Sequence, residues 1–389
     1  MKTIALCFES NCEYGREFLK GVAQFARERR TWHLRLYPLT RAADGSPLAG
    51  CDGVIARVAE PATMQRLTES GLPLVDAFCQ ELVTGAVGVD CDHDAIATMA
   101  AEYFLLRQFK NFAFCGYRGT RYSDMLADTF ARTLAKAGHA CQQYRTVELP
   151  TDAMFHDDKA RKPRSPGSLA AWLAKLPPHT ALFCANDLRA YHVLNICETI
   201  GRKVPSDIAI MGVDNDTVLC SCASVPLSSI DPNAFGVGYA AAQALDDLIE
   251  KRTKHRKAPP PVHYVKPGEL IVRESTQAYP LNPPWLEKVL IHVDANISRP
   301  LSARDLIKVA GVSHTALQKM FTQKIGMSPG RYILTVKMRE AQRLLTSYKK
   351  MRISEISQRT GFADQKYFCR TYHGYFGHAP SHTVRSKDS

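Results

Sequence analysis

The chain has 389 residues, of which 45% are apolar and 23% charged, with a formal net charge of +12. That length exceeds one ordinary core and predicts two or three domains. No run approaches the roughly 18 consecutive apolar residues of a membrane span, and the opening MKTIALCFESNCEYG lacks the apolar core and small-residue cleavage site of an export signal, so a cytoplasmic protein is expected.

The charge is unevenly placed. From Ala278 to Ser389 there are 18 Lys+Arg against 7 Asp+Glu, whereas the preceding residues carry 32 against 31. Such concentration is the electrostatic footprint of a nucleic-acid-binding segment. The twelve cysteines do not form a disulfide framework. Cys7, Cys115 and Cys184 lie inside apolar runs (IALCF, FAFCG, ALFCA), where a free thiol behaves as a small hydrophobe. There is no C-x-x-C, and Cys220-Ser221-Cys222 has no second pair at zinc spacing, so neither a metal nor a cofactor is expected.

In chain order, apolar runs at Thr3–Phe8, Leu34–Tyr37, Gly53–Val58, Leu74–Ala77, Ala86–Val89, Phe112–Gly116, Ala181–Ala185 and Ile208–Val213 read as strands. Helical patterns lie between them, such as Ile96, Met99, Ala100, Tyr103, Phe104 and Ala241, Ala244, Leu245, Leu248, Ile249. Repeated strand–helix alternation predicts parallel sheets, and two successive runs of such units suit two α/β lobes. A last strand is read at Leu270–Val272, and Thr253–Pro261 (TKHRKAPPP) as a basic surface loop. The predicted division is a sensor over 1–276, a proline-rich linker over 277–284 and an all-α domain over 285–389.

Polar clusters follow several strands: Phe8-Glu9-Ser10-Asn11, Asp90-Cys91-Asp92, Tyr117 to Tyr122, Asn186-Asp187 and Asp214-Asn215. In open parallel sheets, ligands bind beyond the carboxyl ends of the strands. Carboxylates, an amide and an arginine there can pair with vicinal hydroxyls, and Phe8, Tyr14 and Tyr122 can stack on a sugar's C–H face. The candidate ligand residues are therefore Phe8, Glu9, Asn11, Asp90, Arg121, Tyr122, Asn186, Asp187 and Asp214. His93, between Asp92 and Asp94, is read as a solvated helix start rather than a metal or acid–base group.

The basic segment is helical throughout. Ser302 caps Ala303–Val309, Gly311 makes a turn, and Ser313 caps a second helix with Leu317, Met320 and Phe321 inward and His314, Thr315, Gln318 and Lys319 outward. The pattern recurs after a long helix, Pro329–Ser347. A short helix begins at Ile353, the turn is Thr360-Gly361-Phe362, and Asp364–Tyr375 follows, with Tyr367, Phe368 and Tyr372 as apolar anchors and Gln365, Lys366, Cys369 and Arg370 outward. An amphipathic helix with Gln, Lys and Arg outward fits a major groove.

Ile353-Ser354-Glu355-Ile356, then Gly361-Phe362-Ala363-Asp364 through Tyr367-Phe368-Cys369-Arg370, then Phe376-Gly377-His378-Ala379-Pro380 closely resembles the C-terminal signature of AraC-family regulators. The resemblance implies two recognition helices in successive major-groove segments. It also implies base contacts at His314, Thr315, Gln318, Lys319, Gln365, Lys366, Cys369 and Arg370. Lys366 stands where the family often has Ser.

Ala185-Asn186-Asp187, Val204-Pro205-Ser206-Asp207 through Gly212-Val213-Asp214-Asn215, and Pro226-Leu227-Ser228-Ser229-Ile230 resemble the effector domain of lactose-repressor-type regulators, itself similar to periplasmic sugar-binding proteins. This implies a periplasmic-binding-protein-like sensor with a cleft between two lobes and ligand contacts at Asp90, Asn186 or Asp187, and Asp214. The family's helix-borne arginine falls on Leu126, with Arg121 as the candidate replacement.

Together these resemblances imply a regulator of a sugar-utilisation operon that binds double-stranded promoter DNA, responds to a monosaccharide with xylose as the leading effector, and works as a homodimer with RNA polymerase as a partner. Another effector, or repression instead of activation, stays open. No G-x-S-x-G, Walker loop, H-E-x-x-H or G-x-G-x-x-G is present, which argues against an enzyme.

Overall fold

The computed structural model describes residues 1–8, 12–37, 48–81, 83–147, 167–251, 262–279, 281, 283–347 and 351–385. These fall into two compact units: Met1–Leu105 with Lys110–Thr276, and Leu106–Phe109 with Gln277–Ser389. Among the described residues no helix is long and apolar enough to cross a membrane.

The first unit holds two six-stranded sheets. One runs β11-β5-β4-β3-β1-β2, built from β1 (Lys2–Cys7), β2 (Trp32–Tyr37), β3 (Gly53–Ala56), β4 (Leu74–Asp76), β5 (Ala86–Cys91) and β11 (His263–Val265), with every pair parallel. The other runs β12-β10-β9-β8-β6-β7, from β6 (Asn111–Tyr117), β7 (Cys141–Thr146), β8 (Thr180–Cys184), β9 (Ile208–Val213), β10 (Ser228–Ile230) and β12 (Leu270–Ile271). Only the β10–β12 pair is antiparallel. Parallel strands covered on both faces must be apolar along their length. Accordingly β3, β8 and β9 are buried at every residue, and Cys7, Cys115 and Cys184 sit in strands as core hydrophobes.

The eight strands read from apolar runs are present, several shifted by one or two residues at their ends. The edge strand β7 carries CQQYRT, half exposed, and has no apolar run to announce it. The lobes are also interleaved rather than successive. After β10, helix Ala234–Lys251 and β11 return to the first sheet before β12 rejoins the second. Helix Ala234–Lys251 crosses α1 (Glu13–Arg29) at glycines. A Cβ on Gly21 would lie 2.0 Å from the Phe235 carbonyl oxygen, and one on Gly238 would lie 2.0 Å from that of Phe18. The loop read at Thr253–Pro261 lies outside the described residues.

The second unit is helical from Pro284: Pro284–Ala295, Ala303–Ala310, His314–Met320 continuing as a π turn over Phe321–Ile325, Pro329–Ser347, Ile353–Arg359, Gln365–Phe376 and Pro380–Arg385. The segment read as a linker over 277–284 thus gives its last residue to a helix, and its Tyr279 is buried in this unit's core. Its caps match their residues. The Asp305 carboxylate accepts from the N–H (2.9 Å) and hydroxyl (2.7 Å) of Ser302. Ser313 Oγ accepts from the Ala316 N–H, and Asp364 accepts from the N–H groups of Lys366 and Tyr367. Two cores result. One gathers Leu286, Val289, Leu290, Leu306, Leu317, Phe321 and Tyr332. The other gathers Met338, Leu344, Leu345, Ile356, Phe368 and Tyr372. Each helix-turn-helix thus has its own apolar support.

Candidate functional site

Between the two lobes of the first unit lies a cavity of about 500 Å³, within the roughly 300–1,000 Å³ usual for small-molecule sites. Its walls come from the carboxyl ends of strands and the helix starts that follow them. Asp90, Tyr122, Asn186, Asp187 and Asp214 all line it, as do Tyr14, Arg57, Phe78, Cys91, His93, Tyr117 and Leu126.

Asp90 ends β5 and is held rigidly. Its Oδ1 accepts from the Cys91 N–H at 2.8 Å, and its Oδ2 lies 3.1 Å from His93 Nε2. His93 is therefore not a solvated helix start: it is 5% exposed, at the beginning of helix His93–Leu106, where its ring packs toward Tyr122. The imidazole is buried because its own helix N-terminus is turned into the cleft. Asp90, Cys91 and His93 bring three donor atoms of metal-ligand type within 4.8 Å of one another. Burial and the neighbouring Asp90 carboxylate push the Cys91 thiol well above its usual range, so thiolate ligation would oppose both effects.

Asn186 caps helix Asp187–Thr199 through Oδ1, which accepts from the Arg189 N–H at 2.8 Å, while its Nδ2 donates to Tyr122 Oη at 3.3 Å. Asp187 is fully buried, against Gly212, where an added Cβ would lie 2.1 Å from Oδ1. Its Oδ2 accepts from the Asp216 N–H at 2.7 Å and from the Cys220 thiol at 3.4 Å. Burial raises its pKa to about 7, against the lowering effect of hydrogen bonds from Ser229, Asp216 and Cys220. Asp214 turns out of β9 at φ 109°, a conformation that costs about 1–3 kcal/mol and that recurs at ligand sites.

Two candidates stand elsewhere. Phe8 is buried, stacked on Phe18 at 4.2 Å, and does not line the cavity. Arg121 does not line it either. Its Nη1 donates to the Cys79 carbonyl (3.1 Å) and its Nη2 to Tyr264 Oη (2.8 Å), so it ties the second lobe to the first and leaves no guanidinium in the place of Leu126. Glu9 and Asn11 lie outside the described residues. Sequence reasoning passed over Arg57 and Phe78, which follow β3 and β4 and are brought into one wall by the parallel order of those strands.

On the second unit, His314, Thr315 and Lys319 are exposed and Gln318 half-buried, and together with Thr322 and Gln323 they line a shallow groove along helix His314–Met320. On helix Gln365–Phe376, Gln365, Lys366 and Arg370 are exposed and Cys369 is half-buried. Tyr367, read as an anchor, is 56% exposed. Phe368 and Tyr372, one turn apart, define the buried face, and the residue before Phe368 points about 100° away from it. Tyr367 therefore joins the outward surface.

The turn of the second helix-turn-helix is held by a lysine. Lys337, on helix Pro329–Ser347, donates to the Arg299 and Gly361 carbonyls, each at 2.8 Å. Gly361 has φ 66°, and a Cβ there would lie 2.3 Å from the Arg299 oxygen. This cation serves the fold rather than phosphates.

Residues 101–276 match the periplasmic binding protein-like domain family, and residues 306–386 match a helix-turn-helix domain family. The chain is 26% identical over 374 residues to the xylose operon regulatory protein of Escherichia coli K12, covering 94% of this chain and 92% of that one. It is 22% identical over 387 residues to the Haemophilus influenzae protein of the same name, covering 97% and 96%. A solved structure of a xylose-binding transcription activator matches 98% of this chain and 97% of its own, at TM-score 0.57 and 23% identity. The lobed fold, the paired helix-turn-helix units and these likenesses agree: the chain is a DNA-binding transcription regulator with an AraC-type helix-turn-helix domain behind a periplasmic binding protein-like domain.

Proposed function

We propose that the chain activates a sugar-utilisation operon in the cytoplasm, that its effector is a monosaccharide seated in the interlobe cleft, and that it is not an enzyme. The carrying observation is the cleft itself: Asp90 fixed by His93, with Asn186, Asp214 and the Tyr122 ring on the same cavity. Such groups accept from and donate to adjacent hydroxyls while an aromatic face covers C–H surface. Xylose is the leading effector because near-full-length relatives are named for the xylose operon.

Residues 1–276 act as the sensor, 277–284 as the linker and 285–389 as the DNA-binding domain. Base contacts come from His314, Thr315, Gln318 and Lys319, and from Gln365, Lys366, Cys369 and Arg370. The regulator works as a homodimer, with RNA polymerase as its partner at the promoter. Effector binding favours cleft closure and so moves the two DNA-binding domains onto adjacent half-sites. Only a difference in sugar affinity between the open and closed states can drive that change.

The test is a thermal-shift screen of the full chain with xylose and other pentoses and hexoses. A sugar at a hundredfold excess over its Kd should stabilise the sensor by about 2.7 kcal/mol, a shift on the order of 5–10 °C. The shift should vanish in Asp90→Asn. A flat response to every sugar would refute the proposal.

A further inference from the structure

The cleft contains a guanidinium with no assigned task. Arg57 directly follows β3, and its backbone N–H is fixed on the Cys7 carbonyl at 3.0 Å. Its guanidinium carbon lies 4.6 Å from the Phe78 ring centroid, 5.0 Å from that of Tyr14 and 6.0 Å from that of Phe8. These rings hold the cation in place by cation–π attraction but accept no strong hydrogen bond. Among the described residues, no acceptor meets its side-chain N–H groups. Arg16, the other guanidinium on the cavity wall, already donates to Glu13 at 2.7 Å.

We propose that Arg57 is a ligand-contacting residue that makes the cleft select neutral polyols, a reading that rests on the cleft being the sugar site. A pre-oriented guanidinium offers parallel N–H donors matched to two neighbouring oxygens, the spacing of a vicinal diol or a carboxylate. The remaining charges decide between these. Even with Asp187 held largely neutral by burial, Glu13, Asp90, Asp214 and Asp216 outnumber the two arginines on the wall, and repel an anionic ligand. A diol satisfies both sides. Its oxygens accept from Arg57, and its hydroxyl protons go to Asp90, which His93 holds in position.

The experiment is calorimetry on the full chain with D-xylose, D-ribose, D-glucose and D-glucuronate, for the wild type, Arg57→Lys and Arg57→Met. Glucuronate should bind at least tenfold more weakly than the best neutral sugar. Arg57→Met should lose about 10- to 100-fold in affinity for that sugar, the usual weight of hydrogen bonds to a charged group. Arg57→Lys, which keeps the charge but not the fork, should fall between. Melting of the sugar-free variants shows whether they are folded, and Arg57→Lys carries the test if Arg57→Met is not. If the wild type binds a sugar and the folded variants match it within threefold, Arg57 has no ligand role. If glucuronate binds tightest, the polyol selection is wrong. If the wild type binds none of the four, the best sugar of the thermal-shift screen replaces them, and a screen flat for every sugar removes the monosaccharide reading and this one with it.

Discussion

Asp187 is a cleft carboxyl whose charge the fold resists. Below about pH 4 it is protonated in the folded and unfolded chain alike; its pKa rises from an ordinary 3.8 to about 7 on folding. Between those values the folded chain keeps a proton that the unfolded chain releases, so stability is lost as the pH rises through this window. The sugar-free protein should therefore melt several degrees lower at pH 8 than at pH 5, and Asp187→Asn should flatten much of that slope. An unchanged slope in the variant would show that other groups set it. At this scale the sequence is a partial guide. Asp90, Asn186 and Asp214 are legible because they end apolar runs, where parallel sheets put ligands. Arg57 is not: an arginine after GVIA reads like any surface residue until Phe78 and Tyr14 are folded around it. His93 misleads in the opposite way, since two flanking acids suggest solvent while the chain buries the ring against Asp90.

The helix-turn-helix units are legible as elements because caps, turns and apolar spacing are local signals, and Ser313, Asp364 and the i, i+4 pair Phe368 and Tyr372 carry them. The Lys337 anchor is not legible, because its partners lie 38 and 24 residues away. Two kinds of variant should separate support from recognition. Lys337→Met strands two carbonyls, each costing about 1–3 kcal/mol when left unsatisfied, and should lower the melting of the helical unit and abolish binding to every duplex. Gly361→Ala should act likewise through strain at φ 66° and the clash with Arg299. Arg370→Ala should leave melting within about 0.5 kcal/mol, as surface substitutions do, and cost about 1–3 kcal/mol on the operator with relaxed discrimination at one base position. Gel-shift titrations on specific and scrambled duplexes, beside melting curves, distinguish the two. If Arg370→Ala weakened both duplexes equally, its contact would be to phosphate.

At the scale of the whole chain, the sequence makes the two α/β lobes and the helical segment legible but not the interleaving of the lobes. Periodicity reports each strand's surroundings, whereas the return of helix Ala234–Lys251 to the first sheet depends on the Gly21–Gly238 crossing, far apart in sequence. The charge distribution carries a functional consequence that needs no geometry. Nearly all the excess positive charge lies after Ala278, so that part of the chain is expected to supply most of the counterion release on DNA binding. For one helical domain touching roughly 6–10 phosphates, log affinity should fall with log salt at a slope of about −5 to −9. The proposed coupling predicts what sugar does to that slope. If the effector merely tightened one domain's contacts, affinity would rise by a coupling energy of about 1–3 kcal/mol with the slope unchanged. If it brings the second domain of a dimer onto the adjacent half-site, the number of neutralised phosphates roughly doubles, and the slope should steepen with it. Fluorescence anisotropy on a two-half-site duplex, across a salt series with and without xylose, reads both quantities. A slope and footprint that stay fixed while sugar is bound would remove half-site recruitment as the mechanism, even with the sensor and the DNA-binding domain each intact.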